Sequence, residues 1–552
     1  MTHRFTTSWR VLAVLAALAT VLGVLAAVAR GQQASGTAGI HSARAATGHE
    51  AAGKVLHAQV SRHPVRPTAA QQAARHKILN LPAAPVGPHP LASAVHGPAG
   101  PQTAVPAQAP GTLTFFKKTT PGAACPSSCA QSTVNEPDTV GAGKVLFQTS
   151  NWDIAYTTNG GAATPTWLYQ DPYSLNANFC CDQTVTYVPS RNMIVRQSLD
   201  LGSGTAQGFD IAIATPKAPT TWCTYHFQAG QLGGTAGDLL DYPKVAFADN
   251  NLYVTWNRYT SNGSGWLDTG LARFPLDALK SCAGFSYNFL TRSDNFTFGL
   301  SYGESSADMF YWVSNWYTQS AGSGTSERIF HWAENSGTYF FNDIGVASYN
   351  FAGGNCASQD GVVTNWCTRL DPRWETASIG KSDWAANSNA AYGGDDLLTV
   401  AITAGPAESD PFPYVIYEYF HLHAPSYITT AATFNNGFAF AYGGCSPNGN
   451  GDLGCAATYG GGTGTTHFFP AGITIVQDDV APAQPWSFSF NQTGAGNASA
   501  WGDYEVTQPY NPSFGAWITT EWFVNSSAQV SPQVLIFGRG RVAGGYGKWK
   551  SS

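Results

Sequence analysis

The chain has 552 residues, with 28 Lys and Arg against 34 Asp and Glu, and a formal net charge of −6 at pH 7. Charged residues make up only 11% of the chain and are scattered, which excludes the basic stripe of a nucleic-acid-binding surface. Aromatic residues make up 13% and glycines number 59, a composition that favours strands and tight turns over helices.

Residues 1–30 have the pattern of an export signal. Arg4 and Arg10 precede the apolar run "VLAVLAALATVLGVLAAVA", and small residues at Ala43–Ala45 offer a cleavage site. The run is also long enough to cross a bilayer. Residues 1–30 are therefore a signal peptide or an uncleaved signal anchor. We expect the rest of the chain to be secreted, or held outside the membrane by this segment alone.

Residues 31–111 differ in composition from everything that follows. They are rich in Ala, Pro, Gln and His and poor in aromatic residues. Such a segment buries too little apolar area to offset the entropy lost on ordering. We predict that residues 31–111 are a disordered spacer or propeptide.

Residues 112–552 contain a repeated pattern of an acidic or polar opening, a strand, a turn, and a second strand that ends in an aromatic residue. The copies open at Asn135, Asp182, Asp241, Glu304, Ser382, Ala432 and Gly502. A repeat of roughly 45–60 residues built of several strands is typical of a β-propeller. We therefore predict an all-β propeller, with seven blades favoured over six and a double sandwich as the competing fold. "TLTFFKKT" would close the ring by adding a strand to the last blade, beside "PQVLIFGRGRV".

All ten cysteines lie in this domain, and an even number outside the cytoplasm predicts disulfides. Spacing suggests the pairs Cys125–Cys129, Cys356–Cys367, Cys445–Cys455 and Cys223–Cys282. Cys180 and Cys181 then either pair with each other, directly before Asp182, or each reach a distant partner.

Several short motifs resemble those of a group of secreted bacterial propellers. The group is sialidase-like in architecture, and its function is undefined. "NWDIAYTTNGGAATPTW", residues 151–167, resembles a degenerate Asp-box with its turn at Thr158–Gly161 and its closing aromatic at Trp167. The openings "NEP", "DYP" and "WGDY" resemble the blade openings of the same class. A Phe-Arg-Ile-Pro-like segment with the first arginine of a sialidase is absent, so the resemblance implies the fold and not sialidase activity. "DYPKVAFADNNLYVTW" is similar to the Asp-x-Pro strand opening of furanosidase-type propeller hydrolases.

The acids that open the repeats are the candidate catalytic residues. They are Asp182, Asp241, Asp383 and Asp503, with Glu136 or Asp138 in the first copy. If the openings are innermost strands, these carboxyl groups converge on one end of the central channel, as glycoside hydrolysis requires. Alternatively, such acids accept hydrogen bonds from turn or neighbouring-blade amides.

Aromatic residues and an arginine near the strand ends are the candidate sugar contacts. The predicted set is Trp256, Arg258, Trp384, Trp501 and Tyr504. Trp152, Trp312 and Trp522 also lie at predicted strand ends, where their faces could stack on sugar rings. The same tryptophans could instead pack between blades, and Arg258 could form ion pairs.

No cofactor is predicted beyond one structural calcium ion. Asn448, Asn450 and Asp452 offer spaced oxygen ligands, although a turn closed by a disulfide needs no ion.

The sequence predicts a monomeric extracellular propeller that engages a glycan and acts on it as a glycoside hydrolase. The alternative is a non-catalytic propeller that binds a glycan or a protein at the cell surface. No nucleic-acid partner is expected.

Overall fold

Strands make up almost all of the regular structure in this computed structural model. It describes residues 40–64, 68, 113–121, 136–202, 207–302, 308–318, 323–350, 375–380, 397–406, 411–422, 424–449, 451–463, 466–476, 486–491, 493–496, 506–511, 515–524 and 530–539. Residues 39–552 form one compact unit. No helix in the described ranges combines the length and the apolar character needed to cross a bilayer.

Five strands precede the first complete sheet: β1 (His41–Arg44), β2 (Ala46–Ala51), β3 (Lys54–His57), β4 (Val60–Ser61) and β5 (Leu113–Thr119). The described strands form five hydrogen-bonded sheets, and these divide into seven units of four antiparallel strands, called blades 1 to 7, because two of the sheets each join two neighbouring units. Blade 1 consists of β6 (Asp138–Ala142), β7 (Val145–Thr149), β8 (Ile154–Thr157) and β9 (Leu168–Gln170). Blade 2 consists of β10 (Phe179–Val188), β11 (Met193–Leu201), β12 (Gln207–Thr215) and β13 (Ala218–Phe227). Blade 3 consists of β14 (Leu239–Asp241) with β15 (Val245–Phe247), β16 (Asn251–Tyr259), β17 (Trp266–Pro275) and β18 (Phe285–Arg292).

Blade 4 consists of β19 (Gly299–Tyr302), β20 (Met309–Thr318), β21 (Ser323–Ala333) and β22 (Thr338–Asn350). Blade 5 consists of β23 (Glu375–Gly380), β24 (Leu397–Ala404), β25 (Tyr414–His421) and β26 (Ser426–Thr433). Blade 6 consists of β27 (Ala439–Pro447), β28 (Leu453–Thr463), β29 (Thr466–Val476) and β30 (Ser487–Ser489). Blade 7 consists of β31 (Thr507–Pro509), β32 (Ala516–Val524), β33 (Val530–Arg539) and the early strand β5. One α-helix, α1 (Leu276–Ser281), and the 3-10 turns Pro172–Ser174, Pro189–Arg191 and Ala229–Leu232 complete the described elements.

The innermost strands make a closed ring. β6 contacts β10, β10 contacts β15, and the contacts continue through β19, β23, β27 and β31 back to β6. A closed ring of radially arranged four-stranded sheets is a β-propeller, and the described blades number seven, as the repeat predicted. The alternative of a double sandwich is wrong, because two stacked sheets would not bring the first blade against the last.

The ring is closed by an early strand, which confirms the prediction for "TLTFFKKT". β5 pairs with β33, with Phe115 opposite Phe537 and Leu113 opposite Arg539. Blade 7 thus takes three strands from the end of the chain and its outermost strand from residues 113–119.

Residues 40–61, which we call the belt, correct the prediction of a disordered segment for this part of residues 31–111. β1, β2, β3 and β4 pair with the outermost strands of blades 4, 3, 2 and 1, in that order. Edge pairing uses backbone N–H and C=O groups, so it does not require the aromatic and apolar side chains whose scarcity indicated disorder. The suggested cleavage site at Ala43–Ala45 lies in the belt, and cleavage there would remove β1 from blade 4.

Aromatic side chains fill the spaces between blades. Tyr253 of blade 3 stacks on Phe310 of blade 4, with 3.6 Å between ring centroids and 7° between ring planes. The indoles of Trp256, Trp312 and Trp522 are fully buried. These tryptophans therefore pack blades together, and the prediction that their faces stack on sugar rings is wrong for them.

Six cysteines lie among the described residues, and all of them form disulfides. Cys180 pairs with Cys181, Cys223 with Cys282, and Cys445 with Cys455. The open question about Cys180 and Cys181 is thereby answered in favour of a disulfide between neighbours. The other two predicted pairs, Cys125–Cys129 and Cys356–Cys367, lie outside the described residues.

Candidate functional site

Asp182 and Asp241, two of the predicted catalytic acids, are brought together by blades 2 and 3. Asp182 lies near the start of β10 in blade 2, and Asp241 lies on β14 in blade 3. Their carboxyl groups are close enough to interact directly. The contact arises because the innermost strands of neighbouring blades start side by side around the channel.

Burial and the neighbouring charge of Asp182 raise the pKa of Asp241 well above its usual range, and the hydrogen bond between the two side chains adds to the rise. Both side chains are buried, with 6% and 7% of their surface exposed. Two carboxyl groups in such contact favour a state in which they share one proton, because ionising both places two like charges side by side. The pair is therefore equipped to donate a proton to a bound group.

The backbone at Asp182 is unusual. Its φ angle is +46°, in the left-handed region that non-glycine residues seldom adopt. The two preceding residues form the Cys180–Cys181 disulfide, and the pairing of β10 with β11 shifts register at Cys181. Strained backbone of this kind concentrates at functional sites. Cys180 and Cys181 are both buried. The disulfide therefore constrains the backbone before Asp182 and offers no exposed sulfur surface to a ligand.

The left-handed conformation recurs at the start of other innermost strands. Tyr242, Thr297 and Tyr442 have φ angles of +52°, +52° and +55°. Thr297 donates its N–H to Asn257 Oδ1 at 3.1 Å, and Tyr442 donates its N–H to Thr403 Oγ1 at 2.8 Å. A side chain of one blade thus holds the entry of the next blade's innermost strand.

Asn151 is the corresponding residue for blade 2, and it connects a third acid to the pair. Its Oδ1 accepts the N–H of Asp182 at 3.3 Å, and its Nδ2 donates to Glu136 Oε2. Glu136 is also buried. Sequence reasoning left Glu136 and Asp138 as alternatives and missed Asn151, since nothing in the spacing indicates which side chain crosses between blades.

Asp138 has a structural position. Its carboxylate accepts the N–H of Thr139 at 2.7 Å, the N–H of Val185 at 2.8 Å, and Gln508 Nε2 at 2.8 Å. Burial raises the pKa of Asp138 to about 6, although these three donors oppose the rise. Asp138 therefore joins blades 1, 2 and 7, as the alternative interpretation of the acids predicted.

The other two predicted catalytic acids, Asp383 and Asp503, lie outside the described residues, as do Trp384, Trp501 and Tyr504. The chain order still corrects one expectation: β23, the innermost strand of blade 5, begins at Glu375 and precedes Asp383. The predicted repeat copy at Ser382 therefore begins after the innermost strand of blade 5, and its strand is β24 and not β23. The two strands are easily confused because both alternate apolar and polar residues.

Arg258 is already paired within blade 3. Its Nε lies 2.9 Å from Asp268 Oδ1, and its Nη1 lies 2.9 Å from Asp238 Oδ2. The ion-pair alternative is the one observed, so the prediction that Arg258 holds a sugar carboxylate is wrong. Trp152 is half-buried and packs against the cluster that contains the Cys180–Cys181 disulfide.

Two side-chain groups among the described residues bring three potential metal ligands within 4.8 Å: Asp200, Asp210 and His226, and Asp249, Asp308 and Glu334. His226 Nδ1 lies 3.1 Å from Asp200 Oδ2 and 2.9 Å from Asp210 Oδ1. Burial opposes the imidazolium, but the two aspartates outweigh it and raise the pKa of His226 to about 10. A protonated imidazole pairs with carboxylates, so His226, Asp200 and Asp210 stabilise one another as they stand. In the second group, both oxygens of Glu334 accept N–H groups of Asn250 and Asn251.

The predicted calcium ligands lie in the turn between β27 and β28. Asn448 Oδ1 accepts the N–H of Asp452 at 3.1 Å, and Asn448 Nδ2 lies 3.2 Å from Asp452 Oδ2. Asn450 is outside the described residues. These side chains hold the turn itself, and a calcium ion there stays a prediction.

Comparison with known proteins finds weak likenesses among solved structures only. No protein-family model matches the sequence, and no curated protein matches it. A GH93 α-L-arabinofuranosidase of Fusarium graminearum, solved with arabinobiose, is similar at 9% identity, covering 77% of this chain and 98% of that one, with a TM-score of 0.36. An α-L-arabinanase of Penicillium chrysogenum, also solved with arabinobiose, is similar at 8% identity over 63% and 94% of the chains, with a TM-score of 0.34. A sialidase of Trypanosoma rangeli is similar at 8% identity over 65% and 53%, with a TM-score of 0.31. At these identities and TM-scores the likenesses carry no argument about activity.

Proposed function

We propose that this chain is an extracellular β-propeller that binds a glycan and hydrolyses a glycosidic bond with the Asp182–Asp241 pair. The observation that carries the proposal is the direct interaction of these two buried carboxyl groups, with the pKa of Asp241 raised by burial and by Asp182. A general acid for glycoside hydrolysis must be protonated near neutral pH, and this arrangement supplies one.

The contact between Asp182 and Asp241 also determines which catalytic roles we assign to the acids. An acid and an opposing nucleophile or base stand roughly 5–9.5 Å apart across the scissile bond. Asp182 and Asp241 are in contact, so they act together as one acid. Among the described residues, Glu136, which Asn151 joins to Asp182, is the carboxylate that we assign to the opposing role.

In the proposed reaction the pair donates its proton to the glycosidic oxygen as the bond from that oxygen to the anomeric carbon breaks. A water oxygen bonds to the anomeric carbon and loses a proton to Glu136. The products are two shorter sugars, and no oxidant or reductant is needed. Arabinan and arabinobiose are the first substrates to try, since "DYPKVAFADNNLYVTW" resembles the strand opening of furanosidase-type propeller hydrolases.

The second candidate function is a propeller that binds a glycan or protein without cutting it. Asp138 favours this candidate, because its three hydrogen-bond donors show that one of the repeat-opening acids supports the fold. The Asp-box resemblance of residues 151–167 suits either function, because it concerns the blade and not the channel.

The deciding experiment uses the secreted, disulfide-bonded chain, since the belt belongs to the fold. Release of reducing ends is measured on arabinan, arabinobiose, sialyllactose and a broad polysaccharide panel. Asp182→Asn, Asp241→Asn and Glu136→Gln are compared with Asp138→Asn. Hydrolysis is supported if the wild-type protein releases reducing ends and the first three variants do not, although they remain folded. Absence of release from every substrate by the folded wild-type protein contradicts it and favours the binding function.

A further inference from the structure

The belt runs around the outside of four consecutive blades. Residues 41–44 pair with β22, residues 46–51 with β18, residues 54–57 with β13, and residues 60–61 with β9. Each belt strand is antiparallel to its neighbour, and each becomes the fifth strand of its blade. Unpaired outer edges would otherwise present free N–H and C=O groups to other chains.

Small residues determine how closely the belt lies on the blades. A β-carbon built on Gly53 would lie 2.8 Å from Cys223 Sγ and 2.9 Å from Cys282 Sγ, in collision with the disulfide. A β-carbon on Gly48 would collide with the ring of Tyr287, and Ala51 is buried in the core of blades 2 and 3. The blade edges therefore select a particular register of small side chains.

Most other belt side chains point to solvent. Val55 is 58% exposed and Val60 is 43% exposed, although both are apolar. The belt is thus held by main-chain hydrogen bonds and a few small contacts, with little apolar area to bind it irreversibly to its own chain.

The chain between the belt and the ring allows the belt to reach another molecule. Residues 62–112 separate β4 from β5, and a segment of that length spans roughly 170 Å when fully extended. The same edges can therefore be covered by the chain's own belt or by that of a neighbour.

We propose that the outer edges of blades 1–4 form a strand-accepting track, and that a second copy of this chain docks there by supplying its own belt. The exchange replaces each backbone pairing by an identical one, so it conserves the contacts made within one chain. The proposal concerns the outer surface and is independent of the activity of the channel site.

A cysteine trap tests this exchange in the full chain. His57 of β3 and Thr221 of β13 are register partners, so cysteines at the two positions are close enough to bond. Differently tagged His57→Cys and Thr221→Cys chains are co-expressed and analysed without reductant. His57→Cys with Lys217→Cys is the matched control, because Lys217 is exposed and is not a register partner.

A disulfide-linked heterodimer from the first pair, and not from the control pair, supports the exchange. A double variant, His57→Cys with Thr221→Cys, forms the bond within one chain if the belt register is right. Efficient bonding in the double variant with no heterodimer from the single variants would overturn the proposal, because the belt would then stay on its own chain.

A labelled peptide of residues 40–61 gives a second readout that does not depend on engineered cysteines. We expect it to bind a full-length Gly53→Val variant at least about 10-fold more tightly than the wild-type chain, since that variant's own belt collides with the Cys223–Cys282 disulfide. A peptide that carries Gly53→Val should bind neither protein, whereas Val55→Thr should leave peptide binding unchanged. Equal binding of the wild-type and Gly53→Val peptides would also overturn the proposal.

Discussion

Asp182 and Asp241 interact directly across the boundary between blades 2 and 3, although 59 positions separate them in the chain. The strands that bring them together start side by side at one end of the channel. The resulting protonated pair is the feature from which the proposed hydrolysis follows.

Replacing Asp182 by Asn should lower the pKa of Asp241. Burial remains, but the neighbouring negative charge is removed, and the Asn amide can donate to the Asp241 carboxylate. Carbon-13 NMR of the Asp241 carboxyl group across pH measures the midpoint without any substrate. If the Asp182→Asn variant retains measurable hydrolysis, the pH above which its activity falls should be lower than for the wild-type protein. An unchanged Asp241 midpoint would mean that the two carboxyl groups are not coupled in solution.

Removing the Cys180–Cys181 disulfide by a double Ser substitution should disturb the position of Asp182. The residue would be freer to leave its left-handed conformation, and misplacement by about 1 Å can reduce activity about 100-fold. The pKa of Asp241 should fall toward its usual value as the pair separates. The control is the Cys445→Ser, Cys455→Ser variant in blade 6, which should lose stability without affecting the pKa of Asp241. If the Cys180→Ser, Cys181→Ser variant keeps its activity and the raised pKa of Asp241, the disulfide does not position Asp182.

Asp138→Asn should destabilise the fold without selectively impairing the channel site. One carboxylate oxygen becomes an NH2 group that faces backbone or amide donors, which typically costs about 1–3 kcal/mol. Chemical denaturation measures the loss, and any substrate KM should be unchanged in the remaining folded protein. A variant of normal stability with abolished activity would instead place Asp138 among the reacting groups.

Glu418→Gln should stabilise the protein, and more strongly at alkaline pH. Glu418, Glu327 and Glu375 are buried together, and both Glu418 oxygens have no hydrogen-bond partner among the described residues. Burial raises the pKa of Glu418 well above its usual range and raises that of Glu375 to about 8, against 4.5 for an ordinary glutamate. The folded state therefore keeps protons that the unfolded state releases, so stability falls as pH rises from about 4.5 to about 8.

The denaturation midpoint of Glu418→Gln at pH 5 and pH 8 tests this, since a neutral amide removes one contribution to the pH dependence. Glu334→Gln is the matched control. Glu334 is buried too, but it accepts hydrogen bonds from four donor groups of Asn250 and Asn251, so we expect the variant to lose stability. Equal effects of the two substitutions would contradict the assignment of Glu418 as an unfavourable buried acid.

The sequence was informative where the fold repeats a local pattern. Strand alternation, turn residues and the repeat spacing predicted the seven blades, and "TLTFFKKT" predicted the closing strand. Local pairing also indicated the Cys445–Cys455 disulfide. Each of these depends on residues close in the chain or on a repeated unit, which is why they could be read without coordinates.

Only the tertiary structure decided which residues meet across blades. The sequence singled out Asp182, Asp241 and Asp138 alike, whereas their neighbours make the first two a proton-sharing pair and the third a support for three blades. It likewise left Trp256 and Arg258 as sugar contacts, and burial and ion pairing removed them. The belt was missed because backbone pairing leaves almost no mark on side-chain composition. Side-chain patterns report the faces of a strand, but the edges of a sheet and the contacts between blades exist only after the chain has folded.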